Sequence, residues 1–347
     1  MKRYYDVIVV GGGPAGIMSA MASGKLGAST LLVEKNGFLG GAATAAVLGP
    51  ISPFHYKDEQ VIDGLPQDFM DRMVRAKGST GHMKTIDPYG SGDSLGFYDR
   101  EKYKYVAAEM LVEFGVDILY HATLSSVQME SSRVTGITVA AKSGDLLPLH
   151  AHVVVDATGD GDLYSRAGAP CQSMADQVTR ANTTALVWRI GGINWDLFYQ
   201  WRSTHPDEMA ALRLGLTRVA GFRCLPMPSN QNDICWVNSW HANRDCSQVK
   251  DQTETEMNTR STMRDVLDYL RQAVPVAFRN AYLYDIAPQL GTRISRRLVG
   301  EYVMSTADFA YAIQHDDVIA WHSTICQVND CGPVEIPYRA ILPQGVE

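Results

Sequence analysis

The sequence predicts an α/β protein: one domain on a parallel sheet, with a second, α+β domain of mixed sheet inserted into it. Three observations predict this. A β-branched run, a glycine turn, a small-residue helix and a second buried strand follow one another near the N-terminus. A later apolar run, Val153-Val154-Val155, ends in Asp156-Ala157-Thr158-Gly159-Asp160. From about residue 170 the texture changes to short strands between polar loops. At roughly 150 residues per domain, a chain of this length is expected to form two.

The elements follow in order. Asp6 to Val10 is a short β-branched strand that stops at Gly11-Gly12-Gly13-Pro14-Ala15-Gly16. Ile17 to Leu26 is a helical stretch stopped by Gly27, and Thr30 to Val33 is a buried strand ending at Glu34. This is a βαβ unit in about 30 residues. Residues 36–64, rich in Gly, Ala and Pro, read mostly as loop, and 77–96, with Gly78, Gly81, Pro88, Gly90, Gly92 and Gly96, look irregular, with a short helix from Pro66 to Arg75 between them. Asp99 to Phe114 reads as a helix, Val116 to Tyr120 as a strand, and Val127 to Val139 as a hairpin turning near Arg133. His152 to Val155 reads as another buried strand. Farther on, Thr184 to Ile190 and Ile234 to Trp240 are strands of the mixed sheet. Thr253 to Val274 is the longest helix, with Thr253 and Glu256 as a capping box and Met263, Val266, Leu267 and Leu270 on one face.

Gly11-x-Gly13-x-x-Gly16 is the motif that carries chemistry. It follows a strand, opens a helix and precedes an acid, Glu34, at the end of the next strand. Gly11 permits the tight turn, Gly13 lets backbone approach a pyrophosphate, and Gly16 lets the helix pack on the strand. The helix N-terminus offers N–H groups and a positive dipole end to phosphate. Glu34 suits a ribose hydroxyl and repels a 2′-phosphate, which disfavours NADP. Two further features point to FAD. Glu34-Lys35 leads into a second glycine cluster, Gly37-Phe38-Leu39-Gly40-Gly41, suited to holding a pyrophosphate from the other side. The strand ending at Ala157-Thr158-Gly159 is the pattern by which flavin-binding domains return the chain to the cofactor.

With these motifs the sequence resembles the FAD-dependent oxidoreductases of the glutathione-reductase-type, two-dinucleotide-binding fold. Phe97-Tyr98-Asp99 with Lys104, the segment Pro288 to Tyr302 containing Gly291-Thr292-Arg293-Ile294-Ser295-Arg296-Arg297, and Ile336 to Pro343 carry the likeness further. The resemblance implies a Rossmann-like FAD domain over residues 1–165, to which 286–347 returns, and a substrate domain over 166–285. It implies that Gly11, Gly13, Pro14, Ala15 and Gly16 hold the pyrophosphate and Glu34, followed by Lys35, the adenosine ribose. Gly40 and Gly41 would line the phosphate and flavin side, Leu124 would meet adenine through its backbone, and Thr158, Gly159 and Asp160 would approach the cofactor. It implies hydride transfer between flavin N5 and a small organic substrate. In the family the chain continues past the Ile336 to Pro343 segment with a strand and a glycine-rich helix that close the FAD site. The present sequence departs there, at Gln344-Gly345-Val346-Glu347. The alternative reading is therefore a truncated or split flavoprotein subunit that binds the ADP part of FAD and needs a partner chain. A homodimer or partner complex is an expectation of the same departure.

For catalysis the candidates are Arg293 and His322. Arg293 leads a group with Arg296 and Arg297; a guanidinium fork suits an anionic substrate group or reduced flavin, while ion pairing with Glu301 or Asp308 is the structural alternative. His322 suits proton transfer. Other classes have little to rest on. There is no GxSxG, HExxH or Walker A motif. The net charge is −7, with no basic face for nucleic acid. No apolar run approaches the roughly 18 residues of a membrane helix. The six cysteines form no CxxC pair, so they read as reduced buried thiols of a cytoplasmic protein and not as a metal site. Asp156, Asp160 and Asp162 lack the remaining ligands of a calcium loop.

Overall fold

The computed structural model describes residues 2–84, 94–173, 183–323 and 333–346. They divide into two compact units. The first takes Met1–Gly41, Pro50–Gln172 and Arg296–Glu347, the second Ala42–Gly49 and Ser173–Ser295. Residues 42–49 group with the second unit, where the Ala45 carbonyl accepts the Gln289 N–H and Val47 joins the core.

The first unit is built around β1 (Tyr4–Val10), which lies between two parallel partners. After it come α1 (Pro14–Lys25) and β2 (Thr30–Val33), then α2 (Leu65–Arg75) and α3 (Arg100–Glu113). Next are β3 (Asp117–Leu119), the hairpin β4 (Ala122–Glu130) and β5 (Arg133–Ala141), β6 (Leu146–Asp156), α4 (Asp162–Arg166) and β7 (Cys171–Gln172). The sheet order is β3-β2-β1-β6-β5-β4, with the first four strands parallel. Ile8, Val9, Leu31 and Leu32 are fully buried, as the apolar runs require, and α1 buries Gly16, Ile17, Ala20 and Met21 against them. Asp99 caps α3 by accepting the N–H groups of Glu101 and Lys102. The strand expected at His152–Val155 is longer and less buried than its sequence suggests. β5 pairs only with Leu146–His150, so among the described residues Ala151–Asp156 has a ladder on the β1 side alone. Val153 is 54% exposed as a result.

The second unit contains β8 (Thr184–Ala185), β9 (Trp188–Gly191), α5 (Trp195–Thr204), α6 (Pro206–Ala220), β10 (Arg223–Pro228) and β11 (Ile234–His241). It continues with α7 (Val249–Ala273), α8 (Pro275–Phe278), β12 (Tyr282–Ile286) and β13 (Gly291–Thr292). The sheet runs β12-β9-β11-β8-β13, with β10 also on β11. Helices α5 and α6 replace the expected polar loops. Asn194 caps the first, Pro206 opens the second, and Trp195, Phe198, Met209, Leu212 and Leu216 face the core. Helix α7 begins at Val249, a turn ahead of the expected Thr253. The Thr253 hydroxyl donates back to the Val249 carbonyl inside the helix, so no capping box forms there.

Cys224, Cys235 and Cys246 are buried thiols outside any disulfide, and burial pushes the Cys224 thiol up to about 12. Cys171 is exposed, contrary to expectation; Cys326 and Cys331 lie outside the described residues. His241 is buried, its Nε2 2.8 Å from the Thr259 hydroxyl and its ring against Phe222. Burial, with the nearby Arg244 charge, lowers its pKa from 6.5 to about 4. The native state therefore refuses a proton that the unfolded chain takes, and stability present above pH 6.5 is lost as pH falls toward 4. The urea midpoint is expected to fall between pH 7 and pH 5, and to fall less steeply in His241→Gln. An equal slope in both proteins would refute this assignment.

Residues 296–346 complete the first unit. β14 (Arg297–Leu298) pairs antiparallel with β7. After α9 (Thr306–Tyr311), β15 (Val318–His322) and β16 (Val334–Pro337) pair with each other. No helix among the described residues is long and apolar enough to cross a membrane.

Candidate functional site

The glycine turn between β1 and α1 is as tight as its spacing predicts. Gly11 has φ +107°, and a Cβ there would stand 2.3 Å from the Ala157 carbonyl oxygen. A Cβ on Gly16 would stand 1.8 Å from the Gly11 carbonyl oxygen, so the helix rests directly on the strand end. Gly13 differs. Its backbone is ordinary, with φ −75°, and an added Cβ would meet only the Gly41 Cα at 3.9 Å. The space beside Gly13 is open.

The first intrahelical bond of α1 runs from the Ile17 N–H to the Gly13 carbonyl. Pro14 has no N–H, and those of Ala15 and Gly16 have no acceptor within the helix. No side chain caps this end, and no acid stands in its first turn. Pro14 and Ala15 are exposed. The second glycine cluster is tied to the first by the Gly40 N–H, which donates to the Gly12 carbonyl at 2.8 Å. Gly41, at φ +45°, comes so close to Gly13 that a Cβ on it would stand 2.9 Å from the Gly13 Cα.

Glu34 is 5% exposed at the end of β2. One carboxylate oxygen accepts the Gly12 N–H at 2.7 Å, the other the Asn36 N–H at 2.8 Å. Each oxygen keeps a lone pair for a further donor. Lys35 beside it is exposed. The Glu34 carbonyl accepts the Ala122 N–H, which brings the start of β4, and Leu124 two residues on, to the same end of the sheet. The Leu124 side chain is buried in the core.

The turn after β6 abuts Gly11 through Ala157, whose N–H donates to the Val10 carbonyl. Asp156 organises it. Its Oδ1 accepts the Thr158 N–H and hydroxyl, its Oδ2 the N–H groups of Leu163 and Tyr164. The Thr158 hydroxyl in turn accepts the Asp162 N–H. Gly159 and Gly161 take φ +83° and +67°, and Gly159 is exposed. Arg296 donates to the Asp160 carbonyl and to the Asp162 carboxylate.

The structure thus brings the three glycine-bearing turns and Glu34 together within the first unit. Arg293 stands apart from them in the grouping of the chain. It belongs to the second unit, is exposed, and its N–H donates to the Thr183 carbonyl. The structural alternative, pairing of the arginines with Glu301 or Asp308, does not form among the described residues. Arg296 bonds as above, Arg297 donates to the Gln172 side chain, and the Asp308 carboxylate is taken by Tyr302 and Ser305. His322 ends strand β15 and does not lie in a loop. It is half-buried, burial lowers its pKa, and its ring packs edge-on to Phe309. The parts that Asp156 and Arg296 play in holding this turn are ones the sequence reading did not assign. The Asp-x-Thr spacing of an Asx-type turn is the signal for Asp156; no local signal singles out Arg296.

These residues fit FAD. Two N–H groups at an accessible helix end suit its pyrophosphate, an open cradle would be filled by a Cβ on Gly13, and a carboxylate with spare lone pairs suits its ribose.

Comparison with known proteins agrees with this. The digeranylgeranylglycerophospholipid reductase of Methanocella arvoryzae is 29% identical over 163 residues, covering 46% of this chain and 40% of that protein. The thiamine thiazole synthase of Aeropyrum pernix is 30% identical over 176 residues, covering 46% of this chain and 57% of that protein. The matches thus span about half the length of these relatives. Among solved structures, p-nitrophenol 4-monooxygenase PnpA from Pseudomonas putida DLL-E4 superposes with a TM-score of 0.52 at 12% identity, covering 87% of this chain and 70% of that one. A variant of the flavin-dependent brominase Bmp2 gives 0.51 at 18% identity, covering 84% and 69%. At such identities the likeness is one of fold. The family model for FAD dependent oxidoreductases matches residues 6–347, nearly the whole chain, and the chain belongs to that family.

Proposed function

We propose that the chain binds FAD across its glycine turns and serves hydride transfer between flavin N5 and a small organic substrate. Bound FAD supplies hydride acceptance and donation at N5 of its ring. The chain's residues supply the rest. The N–H groups of Ala15 and Gly16 and the dipole of α1 bind the pyrophosphate over Gly11 and Gly13, with Gly40 and Gly41 closing on its other side. Glu34 accepts from the ribose, and the backbone near Leu124 meets the adenine. Thr158 and Gly159, held by Asp156, approach the flavin end. Arg293, an exposed cation, orients an anionic group of the substrate. His322, whose pKa burial lowers, is the imidazole that exchanges a proton with the substrate. The observation that carries this reading is the open cradle beside Gly13 at the uncapped end of α1.

A second reading is favoured by one feature, the stretch Ala151–Asp156 with a ladder on one side only among the described residues. In it, a strand supplied by another chain or segment completes the sheet, and FAD is held firmly only then. Absorbance of the purified protein, before and after adding FAD and desalting, tests both. About one flavin per chain, with bands near roughly 375 and 450 nm, supports the first reading. A colourless protein that retains no added FAD refutes it and leaves the second.

A further inference from the structure

We infer that Arg296 is a positioning residue for the flavin end of the site, acting through the turn Ala157–Asp162. This rests on the reading that Thr158 and Gly159 face FAD, and it deepens that reading.

Arg296 reaches the turn from far along the chain, 136 residues beyond Asp160. One of its nitrogens, Nη1, donates to the Asp160 carbonyl at 2.9 Å and to the Asp162 carboxylate at 3.0 Å. Asp160 stands between two glycines in the left-handed region, where the backbone has the most freedom to reorient. The bond to the Asp160 carbonyl therefore fixes a peptide that its neighbours leave loose. Asp156 fastens the two flanks of the turn, at Thr158 and at Leu163–Tyr164, and Arg296 fastens the middle. The Arg296 side chain is 22% exposed, so water competes little with these bonds. Asp162 Oδ1 also takes Arg166 Nη1 at 3.2 Å, so two guanidinium groups share one carboxylate, and the Asp160 carbonyl is the acceptor that Arg296 alone holds among the described bonds.

The test uses Arg296→Gln, Arg296→Lys and Asp162→Asn in the full chain. FAD affinity is read by flavin fluorescence titration, and backbone order by hydrogen exchange of the ligand-free protein. The expected result is a dissociation constant raised about tenfold in R296Q, with R296K recovering part of the loss and D162N losing less than R296Q. Exchange in R296Q speeds at the amides of Asp162, Leu163 and Tyr164, while the Ala157 amide, bonded to β1, keeps its rate. Unchanged affinity and exchange would overturn the inference. So would weaker binding with unchanged exchange, since Arg296 would then act on the ligand directly, or faster exchange throughout the first unit, since its role would then be structural only. A wild-type chain that binds no FAD would sink the proposed function instead, and the exchange comparison alone would then decide whether Arg296 holds this turn.

Discussion

Gly13→Ala is expected to leave the fold intact and abolish FAD retention, whereas Gly16→Ala is expected to cost both. The two glycines stand three residues apart in one motif, yet their surroundings differ. The Cβ added at Gly13 meets only the Gly41 Cα, at ordinary contact distance, and the backbone there is one that alanine adopts freely. Nothing in the ligand-free protein has to move. The same methyl group would occupy the space beside the helix end that the pyrophosphate needs. A weakening of about a hundredfold, or about 3 kcal/mol, is expected in titration. At Gly16 the methyl would sit 1.8 Å from the Gly11 carbonyl oxygen and 3.1 Å from the Ala157 side chain. Helix and strand must then part, at a cost of about 3–5 kcal/mol. Thermal melts of the ligand-free variants separate the cases: G13A melts with the wild type, G16A well below it. A G13A protein that retains FAD as the wild type does would place the dinucleotide elsewhere.

That contrast also shows why the first unit was legible in the sequence. A glycine forced by a close backbone approach leaves a local mark, and Gly11 and Gly16 each mark one approach, while Gly13 marks the space left open beside the helix end. The capped helix at Asp99 is equally local, since cap and first turn are neighbours in the chain. Helices α5 and α6 were harder to read because their apolar residues are not confined to one face: Leu197, Tyr199 and Leu214 are exposed beside the residues that meet the core. Trp195 and Phe198, then Met209, Leu212 and Leu216, are held by a core assembled from distant strands. Val153 misled in the other direction. A β-branched run signals a strand, but not whether a neighbour covers it. The choice among Arg293, Arg296 and Arg297 was beyond the sequence for the same reason: the partners of Arg296 lie more than a hundred residues away. His322 ends a short strand that, among the described residues, pairs with β16, a partner that local sequence does not announce.

Asp156→Asn is expected to be nearly as damaging as Asp156→Ala, although it preserves shape. The carboxylate accepts four hydrogen bonds, two on each oxygen, two from Thr158 in the turn that follows it and two from the start of α4. An amide offers one accepting oxygen. Placed toward Thr158, it turns its NH2 group against the N–H groups of Leu163 and Tyr164, so donors face donors at the start of α4. Flipped, it opposes the Thr158 N–H and leaves that hydroxyl to rotate away from the Asp162 N–H it now accepts. In either orientation two donors lose their acceptor, at about 1 kcal/mol or more each. A fall in stability of about 2–3 kcal/mol is expected from urea unfolding. Retained FAD should fall with it, because Thr158 and Gly159 lose their anchor and the neighbouring Ala157 carbonyl is the surface on which Gly11 rests. An Asn variant with the wild-type urea midpoint would mean that the turn is held from outside, by Arg296 and the contacts around it, and that Asp156 merely follows a conformation set elsewhere.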